Sequence, residues 1–329
     1  MFNYEQQKLL SQKIKDYEYI KDQLLKAFSG IVLDEQRHIY TYNNKKLNST
    51  SSYINQFVKE KFNTNNISLG VSRGQNNQVW KQKNILGSDT VKDFLVDKKD
   101  IMVRFKLMAD QAIAMGNRVH KFSEMYPFFI NPHCDQEEAV ISWFKRYVNV
   151  RSKYVYICSE LKIFDPEHLK AGTIDLVLYN TKTKKLVLCD WKTNNKSLLM
   201  GYNNKKLNTP FNEVEDVPYN MYSLQLSDYK NIIEKNTDFE VEDCFIIHLF
   251  TKPLNYVSKY KNKNNYKQCK SFNLVSKTKQ YTLFKTQDFS EKLKSTYSVK
   301  NKIAENIKKR TTNNSFENKR FIKPTKFKL

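Results

Sequence analysis

The chain has 329 residues, of which 40% are hydrophobic and 13% aromatic, a composition that supports a sizeable core and excludes a disordered tail protein. Its formal net charge is +22 at pH 7, which favours a polyanionic partner, nucleic acid first and an anionic membrane surface second. Residues 251–329 contain 21 Lys and Arg against four Asp and Glu, so most of this charge belongs to the C-terminal part.

Several classes of protein are disfavoured by simple absences. No run of about 18 apolar residues occurs, so we expect no transmembrane segment. The first twenty residues contain three acidic side chains and no apolar stretch, which is typical of neither a signal peptide nor a transit peptide. The five cysteines are widely spaced and form no C-x-x-C pair. We therefore expect reduced thiols and an intracellular, cytoplasmic protein, or one in the host cytoplasm if its Lys- and Asn-rich composition reflects a phage or viral origin.

The N-terminal half is predicted to be mainly helical. The pattern predicts an amphipathic helix over residues 4–28 and a short strand over 38–42, after which Ser49 or Thr50 can cap a helix. Residues of about 63–90 are rich in Asn, Gly and Gln and are predicted to form a loop. A long helical region is expected over about 91–129, and a second helix near 136–148.

After residue 148, the spacing of apolar residues changes to the pattern that is typical of β-strands. The segments YVYICSELKIF, GTIDLVLY and KLVLCDWK predict three strands, followed by a polar insertion (about 194–217), a helix over 219–234 and a strand in EDCFIIHLF. We expect one α/β core over residues 91–250. It would lie between a helical and strand elaboration over 1–90 and a basic extension over 251–329 that is partly disordered at its end.

The strongest chemical signal is a pair of acidic residues on the predicted hairpin. Asp190 and Lys192 are two residues apart on a strand and share a face. If the hairpin is symmetric about residues 182 and 183, Asp175 lies opposite Asp190 with Cβ atoms about 5 Å apart. Such like charges are destabilising unless a cation lies between them, and two carboxylates with a lysine suit phosphodiester hydrolysis with Mg²⁺ or Mn²⁺. The alternative is a surface hairpin whose charges face water, but Asp175 stands in an otherwise apolar strand.

Together with three further motifs, this pattern resembles the PD-(D/E)XK nuclease superfamily in its RecB-like exonuclease branch. It is similar to phage-type and mitochondrial genome maintenance exonucleases. The motifs GNRVHKFSE, SELKIFD, GTID, DWK and SLQLSDY occur in the family's order over about 115 residues. They contain the residues Gly116, His120, Glu124, Glu160, Gly172, Asp175, Asp190, Trp191, Lys192, Gln225 and Tyr229.

The resemblance implies an α/β fold with a restriction-endonuclease-like core, in which helices and an N-terminal helical layer flank a central mixed β-sheet. It also implies roles for individual residues. One or two Mg²⁺ or Mn²⁺ ions would be bound by the side chains of His120, Asp175 and Asp190 and by the backbone carbonyl of Trp191. Lys192 would be the catalytic lysine. Glu160 would be a further acid of the catalytic centre, together with Asp175 and Asp190.

The implied activity is metal-dependent hydrolysis of DNA, most simply as an exonuclease on single-stranded or end-bearing DNA in replication, recombination or repair. Gln225 and Tyr229, four residues apart on one helical face, would lie beside the active site and guide the DNA. The cysteines of iron–sulfur-containing relatives are absent, so no iron–sulfur cluster is expected. A structure-specific endonuclease, an RNA-directed nuclease and a non-catalytic nucleic-acid-binding protein stay open as alternatives.

Three further features have two interpretations each. Four aromatic residues in or just after the polar insertion either stack unpaired bases as a lid or anchor a loop; they are Tyr202, Phe211, Tyr219 and Tyr222. The basic C-terminal region is either a phosphate-binding extension or a solvated tail. His248, inside an apolar strand, is predicted to be a core or sheet-edge histidine rather than a ligand.

Overall fold

A computed structural model describes residues 4–59, 64–73, 98–125, 131–194, 197–201, 205–249, 273–278 and 280–297. Its helices are α1 Tyr4–Ala27, α2 Thr50–Ile54 with a 3₁₀ turn Asn55–Phe57, α3 Thr64–Arg73, α4 Lys98–Met125, α5 Asp135–Tyr147, α6 Pro218–Asn236 and α7 290–297. Its strands are β1 Ile31–Asp34, β2 Ile39–Tyr42, β3 Lys45–Ser49, β4 Tyr154–Asp165, β5 Lys170–Asn180, β6 Lys185–Lys192, β7 Val241–Leu249, β8 Leu274–Lys277 and β9 Tyr281–Lys285.

The strands form one mixed sheet in the order β1-β2-β3-β5-β6-β7-β9-β8, with β4 paired to β5. The β3–β5 and β6–β7 pairs are parallel and the others antiparallel. Helices cover both faces, because successive β6 residues alternate between two apolar clusters. Leu186 and Leu188 pack in the cluster that contains α1 and α6, whereas Val187 and Cys189 pack with α4 and α5. The predicted α/β class with a helix-flanked mixed sheet is thus confirmed.

Two strands pair with different parts of the same edge of β5. β3 pairs with Lys170 and Ala171, while β6 pairs with the residues from Leu176 to Asn180. In the described part of the chain, residues 172–175 therefore have no ladder partner on this edge, and we call them the sheet fork. Side chains from other elements can reach the backbone of β5 there, which a continuous sheet would prevent.

The N-terminal part differs from the sequence expectation at two places. The single strand expected over 38–42 is the middle strand of a three-stranded β1–β3 unit, and Ser49 caps α2 by accepting a hydrogen bond from the Ser52 N–H at 3.1 Å. The loop expected over 63–90 is wrong for residues 64–73, which form α3 against α4. Packing against α4 overrides the low helix propensity of the Asn- and Gly-containing segment. Residues 74–90 lie outside the described residues.

Part of the basic C-terminal region belongs to the sheet. β9 pairs with β7, and β8 pairs with β9; Phe289 and Leu293, which follow β9, pack in a third apolar cluster with Phe211 and Leu224. The boundary expected at residue 250 therefore falls between neighbouring strands of one sheet. The disorder expected at the chain's end concerns residues outside the described part. Among the helices described, none combines the length and apolarity needed to cross a membrane.

Candidate metal centre

The β5–β6 hairpin has the register predicted from its symmetry. Leu176 pairs with Cys189 and Asn180 with Lys185, which brings Asp175 opposite Asp190. The strands separate at this point: instead of continuing the ladder, Oδ2 of Asp175 accepts a hydrogen bond from the Trp191 N–H at 2.8 Å. Asp175 is thus held at the sheet fork with one carboxylate oxygen already oriented by the backbone.

Asp175 and two other side chains bring metal-ligating atoms close together. His120 comes from α4, Glu160 from β4 and Asp175 from β5. Nδ1 of His120 lies 3.3 Å from Oε1 of Glu160 and 3.6 Å from Oδ1 of Asp175. One ligating atom from each residue lies within 4.8 Å of the other two. We call these three residues the His120 cluster; the structure brings together three of the residues singled out from the sequence.

Strand pairing explains how Glu160 reaches the cluster. Its neighbours Ser159 and Leu161 pair with Leu176 and Ile174, so Glu160 stands opposite Asp175. Its φ angle of +52° lies in the left-handed region, which is rare for a non-glycine residue inside a strand and costs roughly 1–3 kcal/mol. Strain of this kind persists where the surrounding structure imposes it, and it is concentrated at functional sites.

The electrostatics of the cluster favour positive charge. Burial alone would lower the pKa of His120, but the charge of Asp175 and the hydrogen bond to Glu160 outweigh it and raise that pKa to about 9. Burial raises the pKa of Asp175 despite the opposing charges of His120 and Lys192. Burial also raises the pKa of Asp190 to about 6. Acids that are buried so close to one another need a nearby cation to stay ionised, either a protonated side chain or a metal ion.

Lys192 lies beside the cluster and is paired with Asp190. Its Nζ is 2.7 Å from Oδ2 of Asp190, so the predicted shared face of these two side chains is confirmed. Burial would lower the pKa of Lys192, but Asp190 and then Asp175 raise it, so the ammonium group keeps its proton. Asp190 is not one of the three residues whose ligating atoms lie within 4.8 Å of one another, although the charges of Asp175 and His120 act on it.

The predicted pair on α6 also meets at the sheet fork. Nε2 of Gln225 donates to the hydroxyl of Tyr229 at 2.8 Å. Tyr229 is only 3% exposed, and its ring lies on the backbone of Gly172. Gln225 is half-buried. Contact of this pair with DNA stays a prediction.

The side chain of Trp191 lies on the opposite face of the hairpin from Leu188, whereas its backbone N–H reaches Asp175. Its indole is buried against Trp143 and Phe144, in the cluster opposite the one that contains Leu188. Only its backbone can therefore take part in the site, as its N–H does with Asp175. Metal binding by its carbonyl oxygen stays a prediction.

Two tyrosines of the site were not assigned to it from the sequence. The hydroxyl of Tyr40 lies 2.9 Å from Oγ1 of Thr173 at the sheet fork; burial raises its pKa, and Glu160 and Asp175 add to this effect. The ring of Tyr222 lies 4.4 Å from Nζ of Lys192. Tyr40 carries no local signal for the site. Tyr222 does, because it precedes Gln225 by three residues on the same helical face.

The other expectations for single residues have clear outcomes. His248 is completely buried and donates from Nε2 to the Asn194 carbonyl at 2.6 Å, which confirms a core histidine. Phe211 and Tyr219 are buried anchors, whereas Tyr202 lies outside the described residues. Glu124 forms a surface ion pair with Lys121 on α4.

A second group of possible metal ligands is already paired with the ammonium group of a lysine. Asp165, Glu167 and His168 also have ligating atoms within 4.8 Å of one another. Nζ of Lys235 donates to both oxygens of Asp165 at 3.0 and 3.1 Å and to Glu167 at 2.6 Å. The lysine therefore balances these acids, and we consider this group structural.

Comparisons with known proteins add no assignment. No protein-family model matches the chain, and no significant similarity to a curated protein is found. The resemblance to PD-(D/E)XK nucleases thus stays an expectation based on ordered motifs.

Proposed function

We propose that the chain is a divalent-metal-dependent DNA nuclease with a restriction-endonuclease-like core. The observation that carries the proposal is the convergence of His120, Glu160 and Asp175 within 4.8 Å beside the ion pair of Asp190 and Lys192 at 2.7 Å. Five ionisable side chains from three strands and one helix would be costly to assemble in this way for stability alone. Binding of a metal ion and hydrolysis of a phosphodiester would account for these five side chains.

The residues present fit Mg²⁺ or Mn²⁺. Carboxylate oxygens suit both ions, and a single imidazole is compatible with Mn²⁺ in particular. His120, Glu160 and Asp175 would hold an ion, and Asp190 and the Trp191 carbonyl are the expected further ligands. When bound, the ion would polarise a phosphoryl oxygen and lower the pKa of a bound water.

The chain's own groups support the same chemistry. The Trp191 N–H fixes Oδ2 of Asp175, which leaves Oδ1 on the side of His120. Lys192 keeps its positive charge because of the acids around it. It can therefore stabilise the negative charge that develops on a phosphate during hydrolysis. The half-buried Gln225 would help to orient the strand.

The proposed substrate is DNA, single-stranded or with free ends, in replication, recombination or repair. The net charge of +22 favours a polyanion and predicts salt-dependent affinity with little sequence preference. An endonuclease or RNA-directed nuclease on the same site remains an alternative, since a fold does not determine its substrate. A binding protein without activity is the third outcome of the test.

The test is a cleavage assay with Mg²⁺ or Mn²⁺ on 5′-labelled, 3′-labelled and circular single-stranded DNA, with RNA as a further substrate. We expect linear DNA to be degraded and circles to be spared. EDTA and Asp190→Asn should each abolish cleavage. Asp243→Asn is the matched control, because Asp243 lies on β7 of the same sheet and pairs with Lys285 instead. Cut circles would indicate an endonuclease, and binding without any product would refute the nuclease.

A further inference from the structure

The ammonium group of Lys192 is held by two different contacts. Oδ2 of Asp190 lies 2.7 Å from Nζ, and the centroid of the Tyr222 ring lies 4.4 Å from it. A cation at this distance from an aromatic face is attracted by the ring quadrupole, more strongly where water is excluded. The Lys192 side chain is 16% exposed, so both contacts act in a largely desolvated setting.

We infer that Tyr222 is a positioning residue that holds the Lys192 ammonium group against Asp190. Its role in turnover rests on the nuclease function proposed above. A lysine side chain has many rotamers, and a single ion pair leaves much of this freedom. An aromatic ring in addition to the ion pair restricts the ammonium group to one position. Displacing a catalytic group by about 1 Å lowers the catalytic rate strongly.

Tyr222 is itself well placed for this task. It lies three residues before Gln225 and seven before Tyr229, on the face of α6 that meets the sheet fork. Its hydroxyl donates a long hydrogen bond of 3.5 Å to Oδ1 of Asn194. The Asn194 carbonyl in turn accepts from the buried His248. The ring is thus tied to the segment that follows β6, two residues from Lys192.

Steady-state kinetics of Tyr222→Leu and Tyr222→Phe test this role. Loss of the ring should lower kcat about tenfold, which corresponds to about 1.4 kcal/mol, with little change in KM. Tyr222→Phe keeps the ring and should retain most of the kcat. Tyr19→Leu, at an exposed tyrosine of α1, is the control for a Tyr-to-Leu change. A raised KM with unchanged kcat would mean that Tyr222 contacts the DNA instead, and equal losses in Leu and Phe variants would also overturn the inference.

A second measurement needs neither metal nor activity. In protein with ¹³C-labelled lysine, the ε-methylene signal of Lys192, assigned by its absence in Lys192→Gln, should carry a ring-current shift. This shift should persist in Tyr222→Phe and disappear in Tyr222→Leu. An unchanged signal in Tyr222→Leu would overturn the inference. A wild-type protein that cuts no nucleic acid would refute the proposed nuclease, whereas this signal would still decide whether Tyr222 positions Lys192.

Discussion

The ring of Tyr229 lies directly on the backbone of Gly172. A Cβ atom at residue 172 would stand 2.8 Å from Cζ of that ring and closer still to Cε1, distances that real Cβ atoms do not adopt. Tyr229 cannot move away easily, because it is buried and its hydroxyl accepts from Gln225. The glycine of GTID and the tyrosine of SLQLSDY, 57 residues apart, thus form one contact at the sheet fork.

This contact predicts the effect of Gly172→Ala. The added methyl group should displace the Tyr229 ring and destabilise the protein by roughly 1–3 kcal/mol, the usual cost of overpacking. Urea unfolding measures this change. Gly116→Ala is the matched control, since its Cβ would meet only Oγ1 of Thr193, at 3.6 Å, and alanine favours a helix. Tyr229→Leu should reduce the cost of Gly172→Ala; strictly additive effects would contradict the proposed clash.

Metal binding should stabilise the protein through the His120 cluster. At Mn²⁺ or Mg²⁺ concentrations about 100-fold above Kd, the wild type should gain about 2.7 kcal/mol, measured as a rise in Tm. Asp175→Asn should lose this gain because it removes a proposed ligand at the centre of the cluster. Without metal, the same variant should be at least as stable as the wild type, since burial already disfavours the Asp175 carboxylate. An equal rise in Tm in both proteins would place the ion elsewhere.

Acid should destabilise the protein through His248. Burial lowers the pKa of His248 to about 4. As the pH falls from about 6.5 to 4, the unfolded chain therefore binds a proton here that the folded chain does not. Stability should fall over this window by up to about 3 kcal/mol and then level off. Urea unfolding at each pH should show a weaker decline for His248→Gln. His133→Gln, at an exposed histidine, should decline like the wild type; identical slopes in all three would refute the prediction.

A buried ion pair joins β5 to α6, and its acid also contacts α7. Lys170 of β5 and Asp228 of α6 are 3% and 0% exposed, and Asp228 also accepts from Thr50, at 2.9 Å, and from the Tyr297 hydroxyl. Asp228→Asn leaves the ammonium group of Lys170 buried without a counter-charge and should cost about 3–5 kcal/mol.

The combination with Lys170→Met removes that charge and should restore part of the stability. A double-mutant cycle measured by chemical unfolding gives the coupling energy. The exposed pair of Lys294 and Glu291 is the control, because its acid is 87% exposed and Glu291→Gln should cost less than about 1 kcal/mol. A coupling energy near zero for the buried pair would contradict the prediction.

Local patterns were sufficient for the hairpin that carries the acids. The symmetry of the segment around residues 182 and 183 predicts the register that pairs Leu176 with Cys189. Strand parity predicts the contact between Asp190 and Lys192. Both depend on rules that act over a few residues, the period of two along a strand and the geometry of a short turn. The helices and strands from α4 to β7 were predictable for the same reason.

The joining of distant segments was decided by the tertiary structure. Tyr40 reaches Thr173 across 133 residues. β9 joins the sheet beside β7, whereas the sequence predicts a basic extension there without assigning it a place in the sheet. The sheet fork exists because β3 and β6 share one edge of β5. No local pattern specifies such pairings, since they depend on which apolar faces bury one another when the whole chain packs. The sequence by itself determined the acids, the lysine and their order, and packing decided which tyrosines and backbone groups surround them.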